Sequence, residues 1–219
     1  MKYKSLLLLI LILVGVPPVL ASAPPSCQRA ASSKNGNFLV LRELQMEATA
    51  DRSGGRKVQQ VSFQVLTKTE FLNETERFTS AATYWQGSLW DVVLTRNDPR
   101  PLPACAVPLL SDDGEFLVLL NQRAVGPSDS ALWIYRRRYH LGDRLGDGQE
   151  TSILVRSVTL GDLWPADKFP EVLMVTDSTP LWFAGGSFDF SGDNRLLTHD
   201  TRWGNSVRIS LSDGAVSKK

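Results

Sequence analysis

Ser111-Asp112-Asp113-Gly114-Glu115-Phe116-Leu117-Val118 carries a pattern that returns 80 residues later as Ser191-Gly192-Asp193-Asn194-Arg195-Leu196-Leu197-Thr198. Each copy opens with Ser and has Asp at the third place, Gly or Asn at the fourth, a charge at the fifth and an apolar run from the sixth. Asp side chains can cap the backbone of a tight turn, and Gly accepts a positive φ there. After a loop each copy meets a second apolar run, Leu132-Trp133-Ile134-Tyr135 in one case and Val207-Arg208-Ile209-Ser210 in the other. Strand, turn and strand make a β-hairpin. The spacing of 80 is about twice the period of a propeller blade.

The flanking sequence extends this β reading. Phe38 to Met46 alternates, Asp51-Arg52-Ser53-Gly54-Gly55-Arg56 is a turn, and Val61, Phe63 and Val65 share one face against Gln60, Ser62 and Gln64. A period of two marks half-buried strands. Leu89 to Leu94 is a further strand, and the prolines of residues 97–103 exclude helix interior or central strand there. Ser152 to Leu160 alternates with a change of phase that predicts a bulge near Arg156-Ser157. Thr159 is placed to cap one short helix near residues 160–168, with Asp162 at its positive end and Pro165 and Pro170 limiting it. The expected fold is all-β, with antiparallel hairpins forming propeller-like blades, an incomplete set included. A two-sheet β-sandwich is the alternative.

The hairpins resemble blades of propeller proteins of the WD40-like kind, in which a Ser-x-Asp-Gly turn opens a strand and a Val-x-Ile strand follows. More closely, residues 85–216 look like a group of small secreted bacterial proteins with no assigned function. The resembling stretches are Ser111 to Val118, Leu132 to Tyr135, Leu160-Gly161-Asp162-Leu163-Trp164-Pro165, and Trp203-Gly204 with Val207 to Val216. The resemblance implies an architecture and a bacterial envelope setting, and it carries no catalytic residues.

The amino terminus fits that setting. Lys2 and Lys4 precede an apolar run from Leu6 to Val14, Pro17-Pro18 end it, and Ala21-Ser22-Ala23 supplies small residues for cleavage. This order reads as a signal peptide over residues 1–23, and the run is too short for a stable membrane span. Residues 24–37 read as an extended lead-in and 38–219 as a single β-rich domain. The expected location is secreted or periplasmic, where the two cysteines, Cys27 and Cys105, favour a disulfide. The chain has 24 basic and 23 acidic residues, and losing Lys2 and Lys4 takes the formal charge from +1 to −1. That balance argues against a nucleic-acid partner.

No catalytic pattern stands out. His140 and His199 are too far apart to begin a metal site, and none is expected. Gly185-Gly186-Ser187-Phe188 fails the nucleophile-elbow pattern at its last place. His199-Asp200 resembles a base with its orienting acid, but reads better as a polar strand end. Asp143 to Glu150 lacks the order of a calcium loop, and Arg136-Arg137-Arg138 reads as a solvated strand end. Asn73-Glu74-Thr75 is a glycosylation sequon, idle in a bacterial setting.

Two groups of binding candidates follow. Asp189, Asp193 and Asp200 surround the Gly192 turn and could act as paired carboxylates if brought together. Trp182 and Trp203, if exposed, could form a platform for sugar rings. The leading expectation is a secreted non-catalytic binding or interaction module of the bacterial cell envelope. Its partner would be a protein or an extracellular polymer, and it would carry no cofactor. The alternatives are a secreted hydrolase using the acidic loop residues and a carbohydrate-binding protein using exposed tryptophan.

Overall fold

The computed structural model describes residues 30–48, 56–69, 84–95, 106–138, 152–168, 174–176, 179–183, 186–201 and 205–218. Strands dominate them, as the alternating sequence predicts. The first sheet holds β1 (Ala30–Ser32), β2 (Phe38–Ala48), β3 (Arg56–Thr69) and β4 (Tyr84–Thr95) in that spatial order. The second holds β5 (Ala106–Leu110), β6 (Phe116–Asn121), β7 (Ser130–Arg137) and β8 (Ser152–Thr159). The hairpin of β9 (Met174–Thr176) and β10 (Thr179–Leu181) follows. The third sheet holds β11 (Gly186–Phe190), β12 (Leu196–Thr201), β13 (Ser206–Ser210) and β14 (Val216–Lys218). Every pairing is antiparallel.

The second sheet lies between the other two, and its sequence explains why. Phe116 to Leu120 and Ala131 to Tyr135 are apolar on both faces and wholly buried. Leu117, Leu119, Trp133 and Tyr135 pack with Val61, Phe63, Val65, Trp90 and Val92 of the first sheet. The alternate residues Phe116, Val118, Leu120, Leu132 and Ile134 pack with Leu197, Val207 and Ile209 of the third. Each such side chain contributes roughly 1.5–3 kcal/mol when taken out of water. The sheets stack without closing into a barrel, as both an incomplete set of blades and a layered sandwich would.

The repeated turn joins the first two strands of each sheet. Ser111 N donates to Phe116 O at 3.0 Å and Gly114 N to Ser111 O at 3.0 Å. The Ser111 hydroxyl donates to Asp113 Oδ1 at 2.6 Å and accepts from Phe116 N at 2.9 Å. Ser191 to Leu196 repeats this set, with Ser191 Oγ to Asp193 Oδ1 at 2.6 Å and Leu196 N to Ser191 Oγ at 2.9 Å. A third copy, Ser33-Lys34-Asn35-Gly36-Asn37-Phe38, lies in the segment read as a lead-in. Its Ser33 Oγ donates to Asn35 Oδ1 at 2.7 Å and accepts from Phe38 N at 3.1 Å. The fourth residue has positive φ in all three: Gly36 at 73°, Gly114 at 68° and Asn194 at 55°. The period of 80 therefore separates one sheet from the next, and β1 belongs to the first sheet.

The expected helix is the single turn α1 (Leu160–Leu163). Thr159 caps it by accepting from Asp162 N, while the Asp162 carboxylate accepts from Thr159 N, a reciprocal capping box. The bulge expected near Arg156-Ser157 appears beside Arg156, where the pairing with β7 shifts between Ile134 and Tyr135. No described helix is long and apolar enough to cross a membrane. The signal peptide, Cys27, Cys105, His140, Trp203, the sequon and the Asp143–Glu150 loop lie outside the described residues.

Candidate functional site

Because each repeated turn joins the first and second strands, all three turns fall at one pole of the stack. They are joined to one another there. Asn35 N donates to Asp112 Oδ1 at 2.8 Å, and Asn35 Nδ2 donates to Asp112 O at 2.7 Å. Asp112 N donates to Asn194 Oδ1 at 3.2 Å. Lys34 Nζ lies 3.6 Å from Asp189 Oδ1, so the first turn also reaches β11 of the third sheet. That ion pair is solvent-exposed and worth at most about 1 kcal/mol. The backbone links define the geometry: three short turns form a fixed polar surface from three sheets. Arg137 N donates to Glu115 O and Leu211 N to Arg195 O, so third-strand ends join the same pole.

The acidic candidates divide by role. Asp193 is committed to its turn, where the Ser191 hydroxyl first and the Arg195 amide second hold its carboxyl below the ordinary value of 3.8. Asp189 and Asp200 share the outward face of the third sheet. Asp189 stands opposite Thr198 and Asp200 opposite Ser187, which places the two on a diagonal. Both are exposed. Asp193 does not join this pair, since no three acidic groups converge among the described residues.

Trp182 and His199 do meet, but inside the protein and towards the opposite pole. Trp182 is 1% exposed, and its indole N–H donates to Asn121 O at 2.9 Å. This corrects the expectation of an exposed platform: packing of the third sheet on the second covers the ring. His199 is also 1% exposed. Its ring stacks on Phe188 at 4.2 Å and 12°, with Trp182 edge-on at 5.7 Å and Trp164 edge-on at 6.1 Å. Gly186 permits this closeness, since a Cβ there would stand 2.7 Å from His199 Cε1. Burial pushes the His199 pKa down from 6.5, only partly opposed by the Ser187 carbonyl and Asp200.

Sequence reasoning missed Lys34, Asn35, Asp112 and Asn194 as a linked group, and Trp164, Phe183 and Phe188 as the surroundings of His199. The Ser-x-Asn-Gly-x-Phe stretch from Ser33 was the available signal for the first group. No group of three or more His, Cys, Asp or Glu among the described residues is placed to hold a metal ion. No family model, curated protein or solved structure matches the chain.

Proposed function

We propose that this protein is a secreted, non-catalytic interaction module of the bacterial cell envelope, binding a protein or an extracellular polymer through the pole where the three turns meet. The observation that carries this reading is the mutual hydrogen bonding of the turns around Asp112. A surface fixed before binding loses little conformational entropy when a partner docks. Lys34, Asp113 and Arg195 are exposed on it and offer both signs of charge for recognition. The secretory leader and the resemblance to small secreted proteins support the location.

The test is photo-crosslinking from the full chain in its native envelope. Probes at Lys34, Asp113 and Arg195 should capture one common partner, and a probe at Arg123, in the loop at the far end of β6, should not. Equal capture from Arg123, or none from the turn pole, would remove this reading.

The disulfide between Cys27 and Cys105 belongs to the same proposal. β1 begins three residues after Cys27, β5 begins directly after Cys105, and these strands lie in contact. Closing so long a loop would stabilise the fold by about 4 kcal/mol on the chain-entropy model. The purified protein should take up no alkylating reagent until reduced, and then two equivalents by mass. Full alkylation without reductant would show free thiols.

A further inference from the structure

We infer that His199 is an acid-sensitive latch between the second and third sheets, closed when its imidazole is neutral and released when it is protonated. The argument starts from the tautomer. His199 Nδ1 lies 3.1 Å from Ser187 O, and a carbonyl only accepts, so Nδ1 carries the proton. Nε2 is then a lone pair. It is buried and has no hydrogen-bond partner among the described residues, and the same holds for the buried indole N–H of Trp164, whose ring stands edge-on at 6.1 Å. A proton arriving at Nε2 would create a buried N–H and a full charge facing aromatic rings, with no acceptor for it among the described residues. Burying a charge without a partner is among the costliest changes a fold can meet.

Among the described residues, the elements around the ring offer no compensating acid. On β11 and β13, Asp189 and Arg208 occupy exposed positions on the opposite face of the sheet, as does Asp200 on β12 itself. Asp200 draws the proton weakly, and less strongly than burial repels it. Beside Trp164, Asp162 is committed to the Thr159 cap, while Asp167 and Lys168 follow Pro165 in the next turn. The described rings in contact with it are Phe188, Trp182 and Trp164.

These rings also bridge the sheets. Trp182 is anchored to Asn121 at the end of β6, and Trp164 follows the helix that continues β8, so both belong to the second-sheet side. His199 and Phe188 belong to the third sheet. Protonation therefore acts on the joint between them. The opened state binds the proton more readily than the closed state, so closure is fully favoured above pH 6.5 and weakens as pH falls below it. One such proton changes the opening equilibrium by up to about tenfold per pH unit.

Hydrogen exchange on the full chain between pH 7.5 and 5 tests this, with rates corrected for intrinsic exchange. Amides of residues 187–200 should lose protection below pH 6.5 by up to about tenfold per unit, while those of β2 and β3 hold theirs. His199→Phe, which keeps a stacking ring without a titratable group, should abolish the difference. Should that variant not fold, the wild-type His199 Cε1 proton resonance decides. Titration below 6.5 that coincides with the loss of protection supports the latch. Titration at 6.5 with protection retained, a uniform response of all sheets, or an unchanged response in His199→Phe overturns it.

Discussion

Trp90→Ala is expected to destabilise the protein by about 3–5 kcal/mol, the range for removing a large buried aromatic side chain. Trp90 lies on β4, 1% exposed, within the core shared by the first and second sheets. It contributes in two separable ways. Its rings fill volume beside Val65 and Trp133 in that core, and its indole N–H donates to Gly114 O at 2.8 Å. Truncation leaves both a cavity and a buried carbonyl without its donor. Trp90→Phe isolates the second effect by retaining most of the volume, and should cost about 1–3 kcal/mol. Urea denaturation followed by circular dichroism would measure both variants. Equal losses for Phe and Ala would show that the hydrogen bond, rather than packing, holds this joint.

Much of this architecture was legible because local chemistry dictates it. Ser111 and Ser191 must each donate and accept within one turn, Asp113 and Asp193 must accept from the hydroxyl and a backbone amide, and the fourth residue must take positive φ. Few residue types satisfy all three demands. The copy at Ser33 was obscured for a chemical reason. Asn35 offers the same carbonyl oxygen as Asp, but it follows a stretch rich in Ser, Pro and Ala, and β1 is only three residues long. The runs of β6 and β7 read as strands, and their being apolar on both sides accords with a sheet buried on both faces. They could not indicate which sheets would cover it, because that is decided by contacts distant in sequence.

The candidate sites were less legible for the same reason. A tryptophan can serve a core or a surface, and Trp182 is buried by the packing of the third sheet on the second, where Asn121, 61 residues away, accepts its N–H. His199 did carry a signal in the strand period. It stands two places after the buried Leu197 and so shares its inward face. Its neighbour Asp200 faces outward, and this alternation separates the two groups that adjacency in sequence had suggested as a catalytic pair. The link from Asp112 to Asn194 spans 82 residues and depends on the stacking of whole sheets.

Gly114→Ala is expected to cost about 2–5 kcal/mol, a large loss for adding one methyl group. Two effects combine. Gly114 adopts φ of +68°, a conformation that costs an L-residue roughly 1–2 kcal/mol. The added Cβ would also stand 2.6 Å from Phe38 Cδ1 and 2.7 Å from Cε1, closer than carbon atoms approach. The Phe38 backbone is held by the Ser33 turn through both its N–H and its carbonyl, so relief must come from displacing the ring itself, whose Cγ would also stand 2.9 Å away. Overpacking of this kind adds typically 1–3 kcal/mol. Gly36 provides the control: its φ is +73°, but nothing lies within 4 Å of a Cβ placed there. Gly36→Ala should show only the backbone cost. Denaturant midpoints of the two variants, at unchanged m value, would report the difference as the energy of fitting the first sheet against the second turn. Equal losses at the two sites would mean that the Phe38 contact contributes nothing and that the turns tolerate a shift between sheets.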